Sequence, residues 1–145
     1  MEINFYHVLA GNLVPSVVRL LEKVYVSQQR CIFFSPLEER LKIVDKTLWT
    51  FSTHSFVPHG DMRFGFSDRQ PIYFTNRVEN PNNANVLIMV DTFDYKKHEN
   101  FERILIVFEE KQQAENAKSL YNDLKKNNLN VNYRVQTPNG WEKLA

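Results

Sequence analysis

Cysteine and glycine are both scarce in this chain, with one cysteine and four glycines among 145 residues. One cysteine excludes an intrachain disulfide framework. Cys31 opens the apolar run Cys31-Ile32-Phe33-Phe34, so it reads as a small buried hydrophobe in a reduced, cytoplasmic compartment. The four glycines (Gly11, Gly60, Gly65, Gly140) make a phosphate cradle hard to build. No G-x-x-x-x-G-K-S/T is present. No G-x-G-x-x-G follows the first apolar run, where the turn reads Ala10-Gly11-Asn12-Leu13, and no G-x-S-x-G elbow occurs. No apolar run approaches the ~18 residues that span a bilayer. The start Met1-Glu2-Ile3-Asn4-Phe5 carries an early charge and lacks the layout of a signal peptide. The expectation is a cytoplasmic protein without a membrane partner. Charge of one sign is also missing: 18 basic and 17 acidic residues leave a formal net charge of +1. Phosphate binding needs concentrated positive charge. The many aromatics invite direct stacking of single-stranded nucleic acid, but the balanced charge opposes it. Association with DNA is expected to be indirect, and any charged partner must be met by a local patch.

What is present is an alternation of two periodicities. Ile3 to Leu9 reads as a strand. Val14, Val17, Val18, Leu21, Val24 and Tyr25 then recur at helical spacing, with Arg19, Glu22 and Lys23 opposite. Pro15 suits a first helical turn. Cys31 to Phe34 is a short buried strand. Ser35-Pro36-Leu37-Glu38 predicts a capped helix start, followed by a stripe of Leu37, Leu41, Val44 and Leu48. Residues 52–71 lose periodicity and carry Pro58, Gly60, Gly65 and Pro71, the signature of a long and often functional loop. Residues 72–75, 86–91 and 104–108 are apolar runs typical of strands covered on both faces. Lys111 to Lys126 is the last helix, Val131 to Val135 a closing strand, and Pro138-Asn139-Gly140 a turn into Trp141. Segment 92–103 is near the minimum length for a crossover and admits a short helix or an antiparallel neighbour. The expectation is a single α/β domain over residues 1–145, a three-layer Rossmann-like arrangement with a mostly parallel sheet and helices on both faces. Strand order stays open.

Catalytic signatures are thin. His7, His54, His59 and His98 form no metal-ligand spacing with another His or Cys, so no metal, cofactor or catalytic residue is assigned. Asp91 ends a strand, where α/β enzymes often place carboxylates, but it reads better as the cap of the next loop. Glu109 and Glu110 are adjacent on a strand end and point to opposite faces, a poor acid–base pair. The alternative function is a small Rossmann-like nucleotide-dependent enzyme, and the missing glycine-rich first turn speaks against it.

Two surfaces look built for proteins. Trp49 lies about 100° from the centre of its helix stripe and is followed by Ser55-Phe56-Val57-Pro58-His59. The two aromatics either form an exposed partner site or fold under the loop. On the last helix, Ala117, Leu120, Tyr121 and Leu124 read as the buried stripe, while Lys111, Lys118 and Lys125 recur every seven residues in one row with Ala114, and Tyr121 lies on the border between row and stripe. That combination of small gap, aromatic wall and lysine rim suits an acidic peptide ending in a hydrophobic side chain and a carboxylate. A solvated lysine face would look the same.

At these residues the chain resembles the chi subunits of bacterial DNA polymerase III. The resemblance runs from the Phe5-Tyr6 strand through Trp49 with Ser55-Phe56-Val57-Pro58-His59, which is similar to a family element W-x6-S-F-V/L/I-P-H. It continues through Val86-Leu87-Ile88-Met89-Val90, Phe101-Glu102-Arg103-Ile104-Leu105, Tyr121 and Trp141. It implies a nucleotide-binding-like fold without a nucleotide site, and a non-catalytic adaptor in the clamp-loader complex. One implied surface holds psi, the subunit that tethers chi to the clamp loader, through Trp49 and Phe56, with Val57, Pro58 and His59 beside them. In organisms without psi, a replacement partner such as a helicase would take that surface. The other implied surface holds the acidic C-terminal tail of single-stranded DNA-binding protein, through Lys111, Lys118, Tyr121 and Lys125. Departures fall on the last helix. Ala114 stands where the family has a lysine, Asn122 where it has a basic residue, and Asn127 or Asn128 where a glycine follows the helix.

Overall fold

Strands β2 (Cys31–Phe34), β3 (Ile72–Thr75) and β4 (Val86–Val90) are buried at every position. Continuous apolar runs of this kind are stable only with a cover on both faces. The computed structural model describes residues 1–50, 60–61, 70–98 and 100–144 and supplies that cover. With β1 (Glu2–His7), β5 (Arg103–Phe108), β6 (Asn130–Thr137) and β7 (Gly140–Leu144), the strands form one seven-stranded sheet of order β3-β2-β4-β5-β1-β6-β7. All neighbours pair in parallel except β6 and β7, which pair antiparallel across the Pro138-Asn139 turn. The arrangement is a three-layer Rossmann-like α/β fold. Gly60 extends the β3 edge through a parallel bridge to Tyr73.

Three helices cover the sheet. Helices α1 (Leu13–Val26) and α2 (Glu38–Thr50) pack on one face, where Val17, Val18, Leu21, Val24, Val44 and Leu48 meet Phe33, Ile88, Leu105 and Val107. Helix α3 (Lys111–Lys126) packs on the other, where Ala114, Ala117, Tyr121 and Leu124 meet Phe5, Ile104, Ile106 and Tyr133. Chain direction explains the split. The β1–α1–β2 and β2–α2–β3 crossovers run towards one edge, β5–α3–β6 runs towards the other, and crossovers of one hand must then use opposite faces.

Several sequence expectations are corrected by the structure. The capping box at Ser35 does not form. Ser35 Oγ accepts the Leu37 N–H at 3.1 Å and donates to Asp91 Oδ2 at 2.8 Å, and α2 starts only at Glu38. Leu37 consequently leaves the expected stripe and is 53% exposed. Segment 92–103, where the sequence admits a short helix or an antiparallel neighbour, takes the first form: it holds the 3-10 turn Tyr95–Lys97 and leads into a strand that pairs in parallel with β4. The residues after Gly140 form an added edge strand, β7, beyond the expected turn. The long loop over 52–71 lies almost wholly outside the described residues.

Candidate functional site

The crevice where crossovers diverge is the usual ligand site of a doubly wound sheet. Here it lies at the carboxyl ends of β1 and β5, and the chain fills it with its own side chains. Gly11, with φ of +80°, donates its N–H to Glu109 Oε2 at 2.9 Å. Gln136 Oε1 accepts the Leu9 N–H at 2.9 Å and Asn12 Nδ2 at 2.8 Å. A phosphate at this turn would need the amide that the Glu109 carboxylate already occupies, and two anions would repel one another. The structure thus gives a physical reason, beyond a missing glycine motif, why this turn does not suit a nucleotide. Asp91 is likewise structural. Its φ of +65° suits a short polar residue, and its carboxylate takes two bonds from Arg40, at 3.1 and 3.2 Å, plus the Ser35 hydroxyl. This clamp ties the ends of β2 and β4 to the first turns of α2. Sequence reasoning missed both the Glu109 plug and the Arg40 clamp, because each joins residues far apart in the chain.

Among the described residues, the remaining polar groups do not assemble into a reaction centre. His7 stacks on Phe108, with centroids 4.9 Å apart. His98 is buried against Phe34, and burial lowers its pKa while nearby Asp94 opposes the shift. Burial pushes the Cys31 thiol far above its usual value, which leaves it unreactive. Among the described residues, no three His, Cys, Asp or Glu side chains are grouped to hold a metal ion, and no helix is long and apolar enough to cross a membrane.

Helix α3 offers a different kind of site. Glu110 opens it with its N–H donated to Gln113 Oε1 at 3.3 Å, the backward arm of a capping box. Lys111, Lys118 and Lys125 are all exposed. Tyr121 falls on the buried side of the border between row and stripe, 8% exposed, so it does not form the open wall of the expected notch. Its ring packs edge-on against Phe5 of β1 and Tyr133 of β6, with centroids 6.4 and 5.8 Å away. Ala114, placed in the lysine row by sequence reasoning, is also buried. The spacing Ala114-Ala117-Tyr121-Leu124 carries the signal that locates both in the buried stripe. At 100° per residue the lysine row lies roughly 40–80° from Tyr121, flanking the ring. Lys125 bridges row and ring: its Nζ donates to Tyr121 Oη at 3.1 Å and lies 5.4 Å from the ring centroid. A shallow hollow of about 360 Å³, lined by Asn122, Lys125 and Lys126, opens beside it.

Trp49, at the end of α2, is 45% exposed. Its expected companions Phe56, Val57, Pro58 and His59 lie outside the described residues, so their pairing with Trp49 is not described either.

The family whose pattern matches this chain is described as DNA polymerase III chi subunit, HolC, and the match covers residues 1–132. The chain belongs to the DNA polymerase III chi subunit family. A similar protein in Rickettsia prowazekii (strain Madrid E), described as a probable DNA polymerase III subunit chi, is 30% identical over 155 residues. That alignment covers 99% of this chain and 92% of the relative. The chi family match ends at Asn132, inside β6, so Trp141 and β7 lie beyond it. The α3 residues Lys111, Lys118, Tyr121 and Lys125 all lie within it.

Proposed function

We propose that this chain is a non-catalytic adaptor of the clamp-loader complex that holds the acidic C-terminal tail of single-stranded DNA-binding protein on α3. Lys111, Lys118 and Lys125 meet the tail's carboxylates, and the Tyr121 hydroxyl orients Lys125. The carrying observation is the Lys125–Tyr121 bond at 3.1 Å, which anchors one cation of an exposed row beside an open hollow. An anchored ammonium loses less side-chain freedom on binding, so more of its attraction reaches the complex. The mechanism is tethering: many weak tail contacts along a coated strand raise the local concentration of the clamp loader. Each contact is salt-sensitive, because exposed charges are screened. A second surface, with Trp49 and Phe56 as anchors and Val57, Pro58 and His59 around them, engages psi or a replacement partner such as a helicase. The exposed indole of Trp49 supports that role.

The test is titration of an acidic tail peptide into the wild-type chain, Lys118→Glu and Tyr121→Phe, with thermal melts alongside. Tyr121→Phe is preferred to alanine, because the buried ring fills core space. Weaker binding by Lys118→Glu at an unchanged melting temperature supports the tail site, and equal affinity refutes it. Loss of a co-purified partner from Trp49→Ala, with tail binding intact, separates the two surfaces.

A further inference from the structure

The face of the sheet that carries α1 and α2 is not covered to its end. On that face β6 and β7 present Asn132, Arg134, Gln136, Trp141 and Lys143, in register with Asn4 and Tyr6 of β1. Trp141 is 41% exposed and meets Tyr6 edge-on at 5.2 Å, while the Arg134 guanidinium lies 5.4 Å over the Tyr6 ring. The floor is held rigid by a side-chain ladder. Arg134 Nη1 donates to Asn4 Oδ1 at 3.0 Å, and Asn132 Nδ2 donates to Asn4 Oδ1 at 3.1 Å and Glu2 Oε1 at 3.2 Å. Beside Tyr6 the face runs into a hollow of about 300 Å³ between α1 and the sheet, where Lys23 and Arg103 stand. The Arg103 Nε there is buried without a partner. Four cations (Lys23, Arg103, Arg134, Lys143) thus share this surface with Glu2, whose carboxylate accepts from Asn132, although the chain as a whole carries only +1.

We infer that this open sheet face binds a short single-stranded nucleic-acid segment directly, stacking a base on Trp141 and leading its phosphates past Arg134 towards Arg103 and Lys23. The balanced charge of the chain argues against general affinity for a polyanion, but not against a local track. From β7 to β5 the track is roughly 20 Å long by strand spacing and rise, room for a few nucleotides. An indole on a flat sheet with flanking arginines is the physical recipe for sequence-tolerant single-strand binding. An acidic peptide could bring at most its apolar end to Trp141, whereas a single strand supplies a ring and a phosphate at every step, so charge complementarity and aromatic exposure together favour a nucleic acid. The site is separate from the α3 lysines, which lie on the opposite face of the sheet.

The experiment is fluorescence anisotropy of a labelled oligothymidine with the full chain, at low and moderate salt. The expected result is measurable binding that weakens with salt. Trp141→Ala should cost roughly tenfold in affinity, the loss of about one stacked base, with recovery in Trp141→Phe. Arg134→Glu combined with Lys143→Glu should cost at least tenfold, and Lys118→Glu should change nothing. No binding by the wild-type chain overturns the inference. So does an equal loss in Lys118→Glu, or an acidic tail peptide that displaces the oligonucleotide with loss of affinity in Trp141→Ala, which would make the face a protein site. Because Trp141 and Lys143 are exposed on an edge strand, unchanged melts are expected of Trp141→Ala and of Lys143→Glu alone, and these two variants separate binding from folding where Arg134→Glu disturbs the ladder.

Discussion

Helices α1 and α3 cover opposite faces of the same sheet with very different means. Helix α1 buries Leu13, Ser16, Val17, Val18, Leu21 and Val24, mostly large or branched apolar side chains. Helix α3 buries only Ala114, Ala117, Tyr121 and Leu124, and it keeps Lys111, Lys118 and Lys125 in solvent along one flank. The first helix is committed to the core across its contact face. The second rests on small residues and one phenol ring, which leaves most of its surface free to meet a partner. In this chain, cohesion and recognition are thus largely assigned to different helices, and Tyr121 is the place where they overlap.

That contrast can be broken at four positions, from the greatest expected effect down. Leu21→Ala removes a side chain with no solvent exposure from the α1 core. It should destabilise the fold by about 3 kcal/mol, read by chemical denaturation, and a loss below ~1 kcal/mol would deny α1 its role as the core helix. Lys118→Glu should weaken tail-peptide binding roughly tenfold, with stability changed by no more than ~0.5 kcal/mol; a large fall in stability with no change in affinity would invert the comparison. Tyr133 lies under α3 with its hydroxyl buried and unpartnered, and burial pushes its pKa up to about 12. Its neutral form stabilises the fold fully below the unfolded value near pH 10, and that contribution is lost as pH rises towards about 12. Tyr133→Phe should therefore hold or raise stability at neutral pH, by about 1 kcal/mol at most, and flatten the alkaline decline in a pH series of melts. Tyr121→Phe should have the smallest effect: a loss of about threefold in tail affinity, since it removes only the hydroxyl that anchors Lys125.

Much of the fold was legible because each element repeats a period. The bounds of β2, β3 and α3 were read to the residue, and the helical repeat that begins at Val14 starts one position inside α1. The α2 start was misread because Ser35, a good cap by type, spends its hydroxyl on Asp91, a partner 56 residues away. Strand order was illegible for the same reason, since parallel pairing joins segments that no local pattern links. At the candidate site the lysine row was legible from its seven-residue repeat. The place of Tyr121 in the buried stripe was legible from helical spacing, but how far its ring is closed off was not, because that depends on Phe5 and Tyr133 packing against it. The open sheet face escaped notice altogether, for it exists only once β7 brings Trp141 beside Tyr6.

The most direct measurement is calorimetric titration of an acidic tail peptide, ending in a hydrophobic residue with a free carboxylate, into the wild-type chain and a Lys118→Glu, Lys125→Glu double variant at two salt concentrations. The account predicts salt-weakened binding to the wild-type chain and almost none to the double variant, with closely matched melting temperatures. Tight, salt-independent binding to both proteins would contradict it.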